Sequence, residues 1–174
     1  MVMWNFCKGW FAHSSFLETY NKTSNAHYVS YYSDNDKVTE NAIRIASWLK
    51  QQNLNVIMDK LNVITDGMRK WCDRNISLAK KVILIISPGY LKISKLDETI
   101  NPGKEKELSL KDQLAYNEVC HIRDEIMKMP LVTHRFVVIL VETSYNELPF
   151  WMKHLNVYKY SGGKVDENIL KVLK

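Results

Sequence analysis

Lys81-Val82-Ile83-Leu84-Ile85-Ile86-Ser87-Pro88-Gly89-Tyr90 is the stretch that decides the fold. Residues 82–86 are consecutive apolar side chains, mostly β-branched, and Ser-Pro-Gly stops the run. A run of that length closed by turn residues reads as a strand buried on both faces. Strands of that kind belong to parallel sheets with helices on both sides. Arg135-Phe136-Val137-Val138-Ile139-Leu140-Val141 is a second such run.

Working outward, the flanking segments supply the helices that these strands require. Tyr28-Val29-Ser30-Tyr31-Tyr32 is rich in β-formers and leads into Ser33-Asp34-Asn35-Asp36, a cluster of helix N-cap residues. Val38, Ala42, Ile45 and Leu49 then recur at helical spacing, with Asn53 as the stop. Leu54 to Met58 reads as the next strand, and Lys60 to Gly67 as a polar loop with an Asp66-Gly67 turn. Met68, Trp71, Cys72 and Ala79 give one side of a second helix before the central strand. Tyr90 to Leu110 carries no core pattern and has Asn101-Pro102-Gly103 in its middle, so it is expected to be a long connection of the kind that is functional or disordered. Ala115, Val119, Ile122, Ile126 and Met129 make a third helix ended by Pro130. Leu148-Pro149-Phe150-Trp151 opens a short helical turn and Asn156 to Tyr160 is a last strand. Ser161-Gly162-Gly163 is a turn, and Ile169, Val172 and Leu173 suggest a terminal helix. Strand and helix alternate through five strands, which predicts a flavodoxin-like α/β fold: a five-stranded parallel sheet, order 2-1-3-4-5, helices on both faces.

Composition narrows the class. The chain has 174 residues, 46% of them hydrophobic and 25% charged, as in an ordinary globular domain with a sizeable core. No apolar run approaches a membrane span, and Lys8 is not followed by an apolar segment with a cleavage site. Cys7, Cys72 and Cys120 are odd in number and far apart, which favours a reducing compartment; a cytoplasmic location is expected, and the Asn21-Lys22-Thr23 acceptor pattern then carries little meaning. Residues 1–26 hold Trp4, Phe6, Trp10, Phe11 and Phe16 without clean periodicity; they read as a packed helix or as a mobile extension ahead of a domain at 27–174. The net charge of +5 suits an acidic partner and gives weak RNA binding at most.

These residues also resemble a known family. Tyr28-Val29-Ser30-Tyr31 with its polar turn resembles the first box of Toll/interleukin-1 receptor (TIR) and SEFIR domains. Val82-Ile83-Leu84-Ile85-Ile86-Ser87-Pro88-x-Tyr90 is similar to the third-strand signature of SEFIR domains, and its ending is similar to the CIKS-type adaptors of interleukin-17 signalling. Leu148-Pro149-x-Trp151 and Val157-Tyr158 match the end of such a domain. Asp66-Gly67 stands where TIR domains have Pro-Gly, so TIR-style contacts are not carried over there. Phe150-Trp151 resembles a TIR feature that SEFIR domains usually lack, and core packing beside Pro149 is the simpler reading of Trp151.

The resemblance implies a homotypic interaction module of a cytoplasmic adaptor, partnered by SEFIR domains of interleukin-17 receptor-type proteins, by further copies of itself and by downstream effectors. A receptor's cytoplasmic tail is the alternative. No cofactor or metal is expected: no phosphate-cradling glycine loop is present, and the neighbours Cys120 and His121 are poorly placed to share one ion from a helix. Candidate partner-binding residues fall in two groups. Lys92, Lys95, Lys104, Lys106 and Lys111 form a basic series before and into the third helix, with Asp97, Glu98, Glu105 and Glu107 between them. Asp59, Asp66, Gly67 and Arg69 lie in and beside the 59–67 loop. Glu118 joins them at the edge of the third helix's apolar stripe. Some TIR domains hydrolyse NAD with a glutamate on this helix, so Glu118 also carries an enzymatic alternative, against the simpler reading of an ion-paired boundary residue.

Overall fold

A computed structural model describes residues 25–64, 67–96, 108–128 and 134–174. Its strands are β1 (His27–Tyr31), β2 (Val56–Ile57), β3 (Lys81–Ile86), β4 (Phe136–Val141), β5 (Asn156–Ser161) and β6 (Lys164–Val165). Its helices are α1 (Asp36–Gln51), α2 (Met68–Leu78), α3 (Pro88–Ser94), α4 (Leu110–Lys128) and α5 (Leu170–Leu173). The sheet runs β2-β1-β3-β4-β5-β6. Every pair is parallel except β5 with β6.

The continuous apolar runs are explained by alternation across two cores. Val82, Leu84 and Ile86 of β3, with Phe136, Val138 and Leu140 of β4, face the core under α2, α3 and α4. Ile83, Ile85, Val137, Ile139 and Val141 face the core under α1 and α5. Neither side of β3 or β4 meets water, so neither has a polar period. Each fully buried aliphatic side chain contributes about 1.5–3 kcal/mol relative to exposure.

Local chemistry sets the helix ends. Asn35 caps α1 by accepting from Val38 N–H at 2.9 Å. The chain leaves that helix through Asn53 in the left-handed region, φ 63°, a conformation asparagine tolerates better than most. Ser87 caps α3 by accepting from Tyr90 N–H at 3.2 Å, with Pro88 at the start of the helix, where its missing N–H costs nothing.

Three expectations need correcting. The sheet is mixed and six-stranded: the parallel order 2-1-3-4-5 is present, with the antiparallel β6 added through the Gly162-Gly163 turn. Two residues of β6 are too few to show alternation. The connection after β3 is not without core pattern, because Pro88–Ser94 is helical and buries Tyr90, Leu91 and Ile93, with Leu96 following. Its apolar stripe spans less than two turns, below the length at which periodicity stands out. Ala79 is buried but lies past the end of α2, as its C-cap. Elsewhere boundaries shift slightly: the 54–58 strand is Val56–Ile57, and a 3-10 turn at Asp59–Leu61 interrupts the polar loop. Trp151 is half-buried against the core, next to Pro149. Residues 1–24, Asp66, residues 97–107, Met129 and Pro130, for which the sequence also raised expectations, lie outside the described residues.

Candidate functional site

Over the C-terminal end of β1, beside the point where strand order reverses between β1 and β3, lies a cleft of about 310 Å³. Open α/β sheets bind ligands at that kind of crevice. Tyr31, Tyr32 and Ser33 come from the end of β1, and Asp59 from the turn after β2. Met68, Arg69, Cys72 and Asp73 come from one face of α2, at the helical spacing that brings residues three and four apart together. Leu110, Lys111, Leu114, Ala115, Asn117 and Glu118 come from the first half of α4.

The floor is a polar cluster built around Glu118. Tyr28 donates its hydroxyl to Glu118 Oε1 at 3.1 Å. Ser30 and the Cys72 thiol also hydrogen-bond to the carboxyl. Desolvation raises the Glu118 pKa above the ordinary carboxylate value; the bonds from Ser30, Tyr28 and Cys72 oppose that rise and nearby Asp59 adds to it. Burial, and then the charge of Glu118, push the Cys72 thiol up, so it is held as an unreactive thiol. Burial likewise raises Tyr28, and Trp71 meets the Tyr28 ring edge-on at 5.8 Å. Behind the floor, Ser30 and Tyr90 share a hydrogen bond of 3.1 Å.

The rim is strapped together. Tyr32 donates to Asp112, which raises the Tyr32 pKa to about 12 and lowers that of Asp112. Lys111 donates to the Ser33 carbonyl and lies 4.9 Å over the Tyr32 ring. Asp34 accepts from Gly89 N–H at 3.1 Å, so the loop after β1 is held by both α4 and α3. Gly89 is required by close approach: a Cβ there would stand 2.3 Å from Asp34 Oδ2.

The structure brings together four of the partner-binding candidates, since Asp59, Arg69, Lys111 and Glu118 line one cleft. Gly67 precedes α2 with φ 83°, a left-handed conformation that suits glycine. Lys92 and Lys95 do not line the cleft: Lys92 acts electrostatically on Asp112, and Lys95 on Glu147. Asp66, Lys104 and Lys106 fall outside the described residues. Sequence reasoning missed Tyr31, Tyr32, Cys72, Asp73, Leu114 and Asn117 as site residues. The one available signal was the pair of tyrosines at the end of a strand next to a predicted switch point.

A second constellation has the connectivity of a catalytic triad. His121 Nδ1 is 2.9 Å from Asp73, and its Nε2 is 3.4 Å from Ser77 Oγ. Its setting is wrong for acyl transfer. Ser77 sits in the last turn of α2, where the free backbone groups are carbonyls rather than N–H donors for an oxyanion. Arg135 already occupies the Ile76 and Ser77 carbonyls. Among the described residues no group of three His, Cys, Asp or Glu side chains could hold a metal ion. No helix among them is long and apolar enough to cross a membrane.

Fold and cleft together define a doubly wound α/β domain with a partner- or ligand-sized crevice at its switch point. The chain belongs to the SEFIR domain family, which it matches over residues 26–165, from the residue before β1 to the last residue of β6. SEFIR domains are TIR-like signalling modules that engage other domains of the same kind. No curated protein matches the chain.

Proposed function

We propose that this chain is the homotypic interaction module of a cytoplasmic adaptor in interleukin-17 receptor-type signalling, binding the SEFIR domains of such receptors and passing the signal to effectors. The observation that carries the reading is the convergence of Asp59, Arg69, Lys111 and Glu118 on one cleft in a SEFIR domain. A rim with both charge signs around apolar walls gives orientation and partner choice more than raw affinity. The reading keeps Lys92, Lys95, Lys104, Lys106, Asp66 and Gly67 as further candidate partner contacts on the sequence alone. The domain is taken as 27–174, with 1–26 as an extension.

The test is a pull-down against receptor cytoplasmic tails. Arg69→Glu combined with Lys111→Glu should reduce capture at least about tenfold, a loss of about 1.4 kcal/mol. Full capture by a folded double variant moves the docking surface off the cleft.

A second reading rests on the half-buried Glu118 carboxyl at the floor of the cleft, whose raised pKa suits acid–base work on a small molecule such as NAD. Nicotinamide release by the wild type that vanishes in Glu118→Gln would put this reading first. No release from the wild type would leave Glu118 as the polar floor of an interaction cleft.

A further inference from the structure

On the same side of the sheet as the cleft, but across β3 and β4 from it, one aromatic ring is presented to solvent on an ordered mount. Phe150 is 88% exposed. It opens a 3-10 turn whose neighbours on both sides, Leu148 and Met152, are buried in the core. The turn is closed by Met152 N–H to the Pro149 carbonyl at 3.0 Å and by Lys153 N–H to the Phe150 carbonyl at 3.1 Å. The approach is fixed by the Ser144–Glu147 capping box, and Tyr145 donates its hydroxyl to the Lys153 carbonyl at 2.7 Å. An exposed phenyl ring on an ordered backbone loses little further freedom on binding, which is the character of an interface anchor. Lys153 and His154 are exposed directly after it.

The cleft is the complement of this feature on the same chain. Its walls include Met68, Leu114 and Ala115, and its rim carries the carboxylates of Asp59 and Asp73. Its volume of about 310 Å³ accommodates an aromatic side chain. Knob and hole are on different flanks: the cleft lies over β1, next to the β2 edge, whereas Phe150 is in the connection from β4 to β5. β3 and β4 separate the two.

We infer that Phe150 of one copy seats in the Tyr32–Leu114–Glu118 cleft of a second copy, giving a head-to-tail, heterologous contact. The inference rests on the homotypic reading above and names the surfaces it would use. Lys153 and His154 then approach Asp59 and Asp73, while Arg69 on the same rim disfavours the reversed orientation. Two different patches in contact leave one knob and one hole free at the ends of every assembly, so growth does not close at a dimer unless the rotation makes a ring.

Complementary variants of the full chain test this. Phe150→Asp removes the knob and keeps the hole; Asn117→Trp fills the hole and keeps the knob. Leu114, like Asn117, lines the cleft, so Leu114→Arg is a second blocker should the first fail to fold. Melting curves matching the wild type establish folding. In sedimentation, the wild type should grow with concentration beyond a dimer, and each variant alone should stay monomeric. Their equimolar mixture should form a one-to-one pair and nothing larger, since it holds one intact knob and one intact hole. Wild type that remains monomeric to about millimolar concentration, a Phe150→Asp chain that still assembles, or a mixture that stays monomeric while the wild type grows would each overturn the contact. Receptor-tail capture measured on the same Phe150→Asp protein separates the two levels: retained capture with lost self-assembly leaves the interaction reading intact, and lost wild-type capture fails that reading whatever the chain does with itself.

Discussion

Arg135 offers the sharpest test of how the cleft walls are held. Its guanidinium donates to the carbonyls of Ile76, Ser77 and Ala79 at the end of α2, the last two at 3.1 and 3.3 Å. It pairs with Glu125 of α4 at 3.0 Å and lies 5.2 Å over the Phe136 ring. One side chain at the start of β4 thus ties together the two helices that line the cleft, and its positive charge sits at the negative end of α2. The pair is largely covered, with side-chain exposures of 17% and 22%, so it is not an exposed ion pair of small worth. Charge-assisted bonds contribute about 1.5–3 kcal/mol each in isolation, but water replaces some of them once the side chain is gone. Arg135→Ala should therefore cost about 2–4 kcal/mol, a large part of a margin of about 5–15 kcal/mol. Arg135→Lys keeps the charge but not the fork, and should lose roughly half as much. Urea unfolding at constant m reads both values, and a cycle with Glu125→Gln isolates the ion pair. A loss below about 0.5 kcal/mol for Arg135→Ala would refute the argument that this residue holds the helices in place.

Three further outcomes follow from the same geometry. Burial, reinforced by Lys80 and Lys81, lowers the His27 pKa below its ordinary 6.5, although its bonds to the Leu173 and Asn55 carbonyls oppose the shift. The unfolded chain then takes up the proton first, so the melting temperature should fall as pH drops below 6.5, and His27→Asn should flatten that fall; an equal slope in both proteins removes His27 as its origin. Gly89→Ala forces Asp34 away from the start of α3 and should cost about 1–2 kcal/mol, read by urea unfolding, with an unchanged midpoint counting against the close approach. Ile85→Asp puts an unpaired charge in the fully buried middle of β3 and should leave the protein insoluble or unfolded; a soluble variant with a cooperative melt would contradict the central place of that strand.

The chain order of strands and helices was legible because it depends on short-range patterns. Residues 82–86 and 136–141 are apolar without interruption, and that pattern alone requires cover on both faces. Val38, Ala42, Ile45 and Leu49 repeat at the helical period, and Asn35 and Asn53 mark the ends of their helix. The short pieces were harder. α3 and β6 are too brief to repeat their own period, and their placement depends on what they pack against: Tyr90 on Ser30 for α3, the β5 edge for β6.

The cleft lay further from reach. Glu118 stood out in the sequence as a boundary carboxyl, and Asp59, Arg69 and Lys111 as surface charges. Their convergence required β1 to lie between β2 and β3, so that Tyr28, Cys72 and Glu118 meet on the same side of it. The pattern around Pro149 pointed to core packing for Trp151, which does lie against the core, but gave no sign that Phe150 faces water. Periodicity is a property of a few adjacent residues, governed by local backbone hydrogen bonding. A half-buried carboxyl among two hydroxyls and a thiol is a property of residues 28, 30, 72 and 118, which only the assembled sheet and its covering helices place within hydrogen-bonding distance.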